Sequence, residues 1–250
     1  MPNNLLKRCP RILIPGDDRW IQYYHPNGGD NIVIDLRGPS FVQSEMDGLI
    51  SELILRRCVN SGLQLLTVAY NESFTNVGGE LSVSISGNTP ELISSNEFLS
   101  RHIPTSGSTT KSINRSSASS YHDWQRRYFG TNISIPDIDA FLVNQLDPLS
   151  DFRIIEIKRS FFSPRDWLYK NYFGRQDSPN FVALADFADR TGISGVSIMY
   201  VKNKESKYDT PGCTENTEFG YFPIQSAHRN NVIISEPNTI YGQLEDVARW

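Results

Sequence analysis

The chain has 250 residues, 38% of them hydrophobic and 21% charged, a balance that suits a folded globular protein and excludes a disordered one. Its net charge of −4 excludes a protein that wraps nucleic acid by bulk charge, though not one that uses a local basic patch. Three widely spaced cysteines, Cys9, Cys58 and Cys213, exclude a disulfide framework or a cysteine-built zinc site.

The first twenty residues lack a signal-peptide apolar core, and no run approaches the roughly 18–20 apolar residues of a membrane helix. A cytoplasmic protein without a membrane partner is expected. Turn signals at Pro15-Gly16 and Pro26-Asn27-Gly28-Gly29 punctuate residues 1–40, where Ile12–Ile14 and Ile32–Ile34 read as edge strands. Residues 41–59 read as a helix, because Met46, Leu49, Ile50, Leu53 and Ile54 recur at helical spacing and Ser61-Gly62 supplies a stop. Leu65–Tyr70 and Leu81–Ile85 read as strands. Residues 104–120 are rich in Ser, Thr and Gly and read as a loop carrying Lys111 and Arg115. A short helix or turn follows at residues 121–129.

Two apolar β-type runs, Ile135–Val143 and Phe152–Ile157, flank the polar stretch Asn144–Asp151 and predict a hairpin. Phe181, Leu184, Ala185 and Ala188 predict a helix over 178–191, with Gly192 as its stop. Gly195–Val201 and Tyr221–Ile224 read as strands and 240–249 as a closing helix. No internal repeat is visible. The order is αβββαβ, an α/β (α+β) arrangement with a mixed sheet flanked by helices. We expect a single domain over 1–250, with its core at about 121–201 and accessory or recognition regions on either side.

The chemistry concentrates in the hairpin. Side chains on a strand alternate, so Asp137 and Asp139 share one face of the first run, and Glu156 and Lys158 share one face of the second. If Asp139 pairs near Glu156, two carboxylates and an ammonium converge while Ile138, Ala140, Leu142, Ile155 and Ile157 face a core. Two close carboxylates repel unless a cation holds them. Oxygen donors without His or Cys favour Mg²⁺, with Mn²⁺ as a substitute, and the main-chain carbonyl of Ile157 is a further candidate ligand. Such an ion activates water against a phosphodiester, and Lys158 orients the water or stabilises the developing charge.

Pro136-Asp137 followed by Glu156-Ile157-Lys158 resembles the PD-(D/E)xK nuclease superfamily, which includes type II restriction endonucleases. The resemblance covers roughly residues 133–201. It implies a restriction-endonuclease-like fold and metal-dependent cleavage of double-stranded DNA, with a homodimer as the simplest match to a palindromic site. Asp137 fits the literal motif and Asp139 fits the usual ligand position. The superfamily often adds an early acid, for which Glu45 and Glu52 are candidates. Basic groups near the hairpin, namely Arg126, Arg127, Arg159, Arg165, Lys170 and Arg175, are candidates for gripping DNA phosphates. Two other readings of the same fold stand beside the restriction enzyme: a nuclease of repair, recombination or mobile elements, and a catalytically silent nucleic-acid-binding protein.

Overall fold

Alternation of apolar and polar side chains builds two separate seven-stranded mixed sheets. The computed structural model describes residues 12–26, 30–103, 119–129, 133–144, 146–149, 151–169, 178–203, 216–228 and 231–243. Cys9, Lys111, Arg115, Lys170, Arg175, Cys213 and residues 244–249 lie outside the described residues. The chain divides into two compact units, Gly16–Asp137 on one side and Met1–Pro15 with Ile138–Trp250 on the other. The core expected over 121–201 is divided between them at residue 137.

The sheet of Gly16–Asp137 is built from β2 (Arg19–Pro26), β3 (Ile32–Arg37), β4 (Gln64–Ala69), β5 (Glu80–Ile85), β6 (Glu91–Ser94) and β7 (Ile133–Ser134), with β8 (Asp137–Ile138) also pairing β2. Strand β3 lies between β2 and β4, so the edge position expected for Ile32–Ile34 is corrected. Its run Ile32–Leu36 is buried throughout, as a central strand covered on both faces requires. Helix α1 (Glu45–Ser61) joins the parallel pair β3 and β4. It begins with a capping box: the Ser44 hydroxyl accepts from the Asp47 amide and the Asp47 carboxylate accepts from the Ser44 amide. It ends at Gly62, whose φ of +71° is the left-handed conformation a helix C-cap favours. Its inner face carries Ile50, Leu53, Ile54 and the free thiol of Cys58, all buried. Burial pushes the Cys58 thiol up to about 12. The opposite core packs Ile34, Leu36 and Leu66 with Phe98 of α2 (Ser95–His102) and with Tyr121 and Trp124 of α3 (Ser120–Tyr128).

In the other unit β1 (Ile12–Leu13), β9 (Ala140–Val143), β10 (Phe152–Ser160), β11 (Val196–Lys202), β12 (Glu218–His228) and β13 (Asn231–Ile234) follow in sheet order. Strand β14 (Ile240–Gln243) pairs β12 where a closing helix is expected from sequence. Its Ile240 and Tyr241 follow Pro237 and lie across from Tyr221 and Gly220, so pairing to an available strand overrides local spacing. Helices α4 (Pro164–Tyr169) and α5 (Ser178–Thr191) lie between β10 and β11 in sequence, and those two strands are parallel. One sheet face joins Ala140, Ile155, Met199 and Val201, with Leu142 and Ile157 packed against them, as the alternation predicts. Another cluster joins Trp167, Phe181, Ile198, Tyr200 and Phe222. Burying an aromatic side chain such as that of Phe181 contributes about 2–3 kcal/mol. Among the described residues no helix is long and apolar enough to cross a membrane.

Candidate metal centre on the β9–β10 hairpin

Strands β9 and β10 pair antiparallel, with Val143 opposite Phe152, Leu142 opposite Arg153, Phe141 opposite Ile154 and Ala140 opposite Ile155. Asp139 immediately precedes β9, at the gap that separates it from β8, and lies beside the stretch of β10 that carries Glu156 and Ile157. Here the ladder changes character. The Ile157 amide donates to Asp139 Oδ2 at 2.7 Å, so a carboxylate rather than a main-chain carbonyl receives it. Asp139 is thereby fixed by the strand that carries Glu156.

Directions alternate along β10. The Ile154 amide donates to the Gly195 carbonyl beside β11 at 3.0 Å. Residues of odd number on β10 therefore turn both main-chain groups toward β9, and the Ile157 carbonyl points to the same edge as its amide. Lys158 lies two residues beyond Glu156 on the same face, with Nζ 2.7 Å from Glu156 Oε1. Glu156 is buried, 7% exposed, and this ion pair offsets part of the cost of holding its charge away from water. Lys158 Nζ also lies 5.7 Å from the centre of the Phe181 ring of α5, a cation–π arrangement that orients the ammonium. Phe181 was counted from sequence only as a core residue of its helix; nothing in its spacing marks it as the floor beneath a lysine.

This donor set fits magnesium. Among the described residues no group of three or more His, Cys, Asp or Glu side chains forms a metal cage. Mg²⁺ does not need one, since it keeps several waters and takes one or two carboxylates. Asp139 and Glu156 would supply the carboxylates and Ile157 a carbonyl. The nitrogen and sulfur ligands characteristic of zinc are missing from this set.

Asp137 belongs to the other unit. Its Oδ1 accepts from Gln22 Nε2 at 2.8 Å. Burial pushes its carboxyl above the usual range, against the Gln22 hydrogen bond and the Arg126 charge. Gln125 Nε2 donates to Gln22 Oε1 at 2.8 Å, and His122 Nδ1 lies 2.8 Å from Ser119 Oγ. Burial, helped by Arg126 and opposed by Asp123 and Asp18, holds the His122 imidazole down at about 4. The sequence singles out Asp137, His122 and Gln125 but gives no sign of their grouping with Gln22, which lies far from them in the chain.

The early acids also lie in Gly16–Asp137. Glu45 is exposed in the first turn of α1, where its charge complements the helix dipole. Glu52 pairs with Arg56 one turn on, at 2.6 Å, with both side chains exposed. Of the candidate phosphate-gripping residues, Arg127 is exposed and Arg126 half-buried on α3. Arg159 is exposed on β10, on the face opposite Lys158. Arg165 of α4 lies with its guanidinium carbon 4.5 Å from the centre of the Tyr241 ring. No family model, curated protein or solved structure matches the chain.

Proposed function

We propose that the chain is a Mg²⁺-dependent endonuclease that hydrolyses phosphodiester bonds of double-stranded DNA at specific sites, in the manner of a type II restriction enzyme. The hydrogen bond that ties Asp139 to Ile157, between Glu156 and the Lys158 paired with it, carries this reading. Asp139, Glu156 and the Ile157 carbonyl would hold the ion. When bound, it withdraws charge from a phosphate oxygen and lowers the pKa of a coordinated water.

The chain's own groups do the rest. Asp139 is held in place by the Ile157 amide before any ligand arrives, so little reorganisation remains for the reaction itself. Lys158 presents three donors. Held beside Glu156, the ammonium would orient the attacking water or meet negative charge gathering on the phosphoryl oxygens. Phe181 beneath it limits the positions the ammonium can adopt. The water oxygen bonds to phosphorus as one phosphoester bond breaks, and the departing oxygen takes up a proton. Arg127, Arg159 and Arg165 would contribute phosphate contacts whose strength falls as salt rises.

The test is incubation of the purified chain with long unmethylated linear DNA, with Mg²⁺ or with EDTA, followed by electrophoresis. Discrete fragments with Mg²⁺ alone are expected. Intact linear and branched DNA under both conditions overturns the proposal, and a smear removes its site specificity.

A further inference from the structure

The two units repeat one order of strand pairing, although the edge strand is the first of the six in sequence in one sheet (β1) and the last in the other (β7). One sheet runs β1-β9-β10-β11-β12-β13 and the other, read from its far edge, β7-β2-β3-β4-β5-β6. Neighbour by neighbour the pairings agree. β1–β9 and β7–β2 are antiparallel, as are the hairpins β9–β10 and β2–β3. β10–β11 and β3–β4 are parallel, and helix lies between the two strands in each case. Both remaining neighbour pairs, β11–β12–β13 and β4–β5–β6, are antiparallel throughout.

The third strand of each set carries the same pattern. Arg153–Lys158 reads RIIEIK and Ile32–Arg37 reads IVIDLR, so Asp35, Leu36 and Arg37 stand where Glu156, Ile157 and Lys158 stand. Both acids face the helix of the crossover. Lys158, on the Glu156 face, lies over Phe181 of α5, and Asp35 is bridged through Arg19 to Asp47 of α1.

The difference lies across the hairpin. Beside Glu156 the Ile157 amide donates to the Asp139 carboxylate, whereas Asp35 is paired with Ile21. The second carboxylate is therefore replaced by a hydrocarbon. A cation is nevertheless present, and it belongs to the protein. Arg19, its side chain 0% exposed, sets Nε 2.8 Å from Asp35 Oδ1 and Nη2 3.0 Å from Asp35 Oδ2. Its Nη1 lies 3.0 Å from Asp47 Oδ1 and also donates to the Asp47 carbonyl at 2.8 Å, and Nη2 donates to Ser51 at 2.8 Å.

We infer that Gly16–Asp137 repeats the pairing of the hairpin unit with the Arg19 guanidinium in the place of a metal ion, so that one Mg²⁺ centre is left among the described residues. This rests on the reading of Asp139 and Glu156 as metal ligands. A chain with one centre cuts one strand, so cleavage of both strands takes two encounters or two chains.

Titration with Mn²⁺, followed by the electron paramagnetic resonance of the free ion, tests this without reference to cleavage. Wild type is expected to show saturable binding. Glu156→Gln should weaken it at least tenfold, while Asp35→Asn should leave it within twofold. Saturable binding that survives Glu156→Gln at wild-type affinity, or that Asp35→Asn abolishes, places an ion in the second unit and overturns the inference alone. A wild type with no saturable binding overturns the hairpin centre as well. Should Asp35→Asn fail to fold, the comparison of wild type with Glu156→Gln decides.

Discussion

The hairpin strands β9–β10 and β2–β3 place an acid, an aliphatic residue and a base in the same order on one strand, yet they treat the acid's charge in opposite ways. Glu156 pairs with Lys158, and the amide of the next residue, Ile157, holds the Asp139 carboxylate. Asp35 has two arginines, Arg19 and Arg37, and an isoleucine across the hairpin. With Asp47 included, two buried or half-buried cations meet two buried anions in the second case, so the local charge closes without an external ion. In the first, Lys158 pairs with Glu156 and the Ile157 amide holds Asp139.

The largest separation between the two hairpins is expected in activity. Glu156→Gln and Lys158→Ala should each lower metal-dependent DNA cleavage by about 100-fold or more, with circular dichroism unchanged. Cleavage at the wild-type rate by either variant would remove the hairpin from the mechanism. Arg19→Met should do the reverse. It leaves Asp35 and Asp47 short of a buried partner and should cost about 3–5 kcal/mol in denaturant unfolding, while Mn²⁺ affinity stays put. A stability loss under 1 kcal/mol would show that the arginine is not what holds those acids.

Gly16→Ala probes the same network more gently. The Gly16 amide donates to Asp47 Oδ1 at 2.9 Å, and a β-carbon there would stand 2.8 Å from Asp47 Oδ2. A loss of about 1–3 kcal/mol is expected, the usual cost of overpacking. The smallest effect is expected from pH. Because the His122 pKa is lowered to about 4 from 6.5, the unfolded chain binds the proton more readily, and stability is lost as pH falls from 6.5 toward 4. The slope is at most about 1.4 kcal/mol per pH unit. His122→Gln should flatten it, and an unchanged slope would assign the loss elsewhere. Hydrogen bonds from Ser44, Gly16 and Arg19 outweigh burial and lower the Asp47 pKa, so its contribution is lost only as pH falls below the ordinary value of 3.8.

Much of the hairpin was legible in the sequence because strand alternation needs only local information. Ala140, Leu142, Ile155 and Ile157 do pack on one face and Glu156 and Lys158 share the other. The helix over 178–191 was equally plain, since its apolar spacing and the stop at Gly192 agree. Long-range pairing was not legible. Arg19–Pro26 mixes polar and aromatic residues and gives no clean alternation, yet it forms the strand that brings Arg19 to Asp35. Helix 45–61 and strands 64–69 and 80–85 were read as parts of one αβββαβ sheet, and they form a sheet of their own. The repeat escaped notice because what the two copies share is strand order and three residue types, not spacing of identical residues. The Ser44–Asp47 capping signal was present and could have pointed to Asp47 as a fixed acid.

Cys58 offers a consequence of a different kind. Its thiol lies inside α1 with its pKa pushed up to about 12, so a thiol reagent finds almost no thiolate and no path while the helix stays docked. Modification at this position, read peptide by peptide in a mass spectrometer, therefore proceeds only when α1 lifts from its sheet. The chain carries its own clock for local opening, and the rate of that clock in Arg19→Met against wild type would measure how firmly the buried arginine keeps the helix closed.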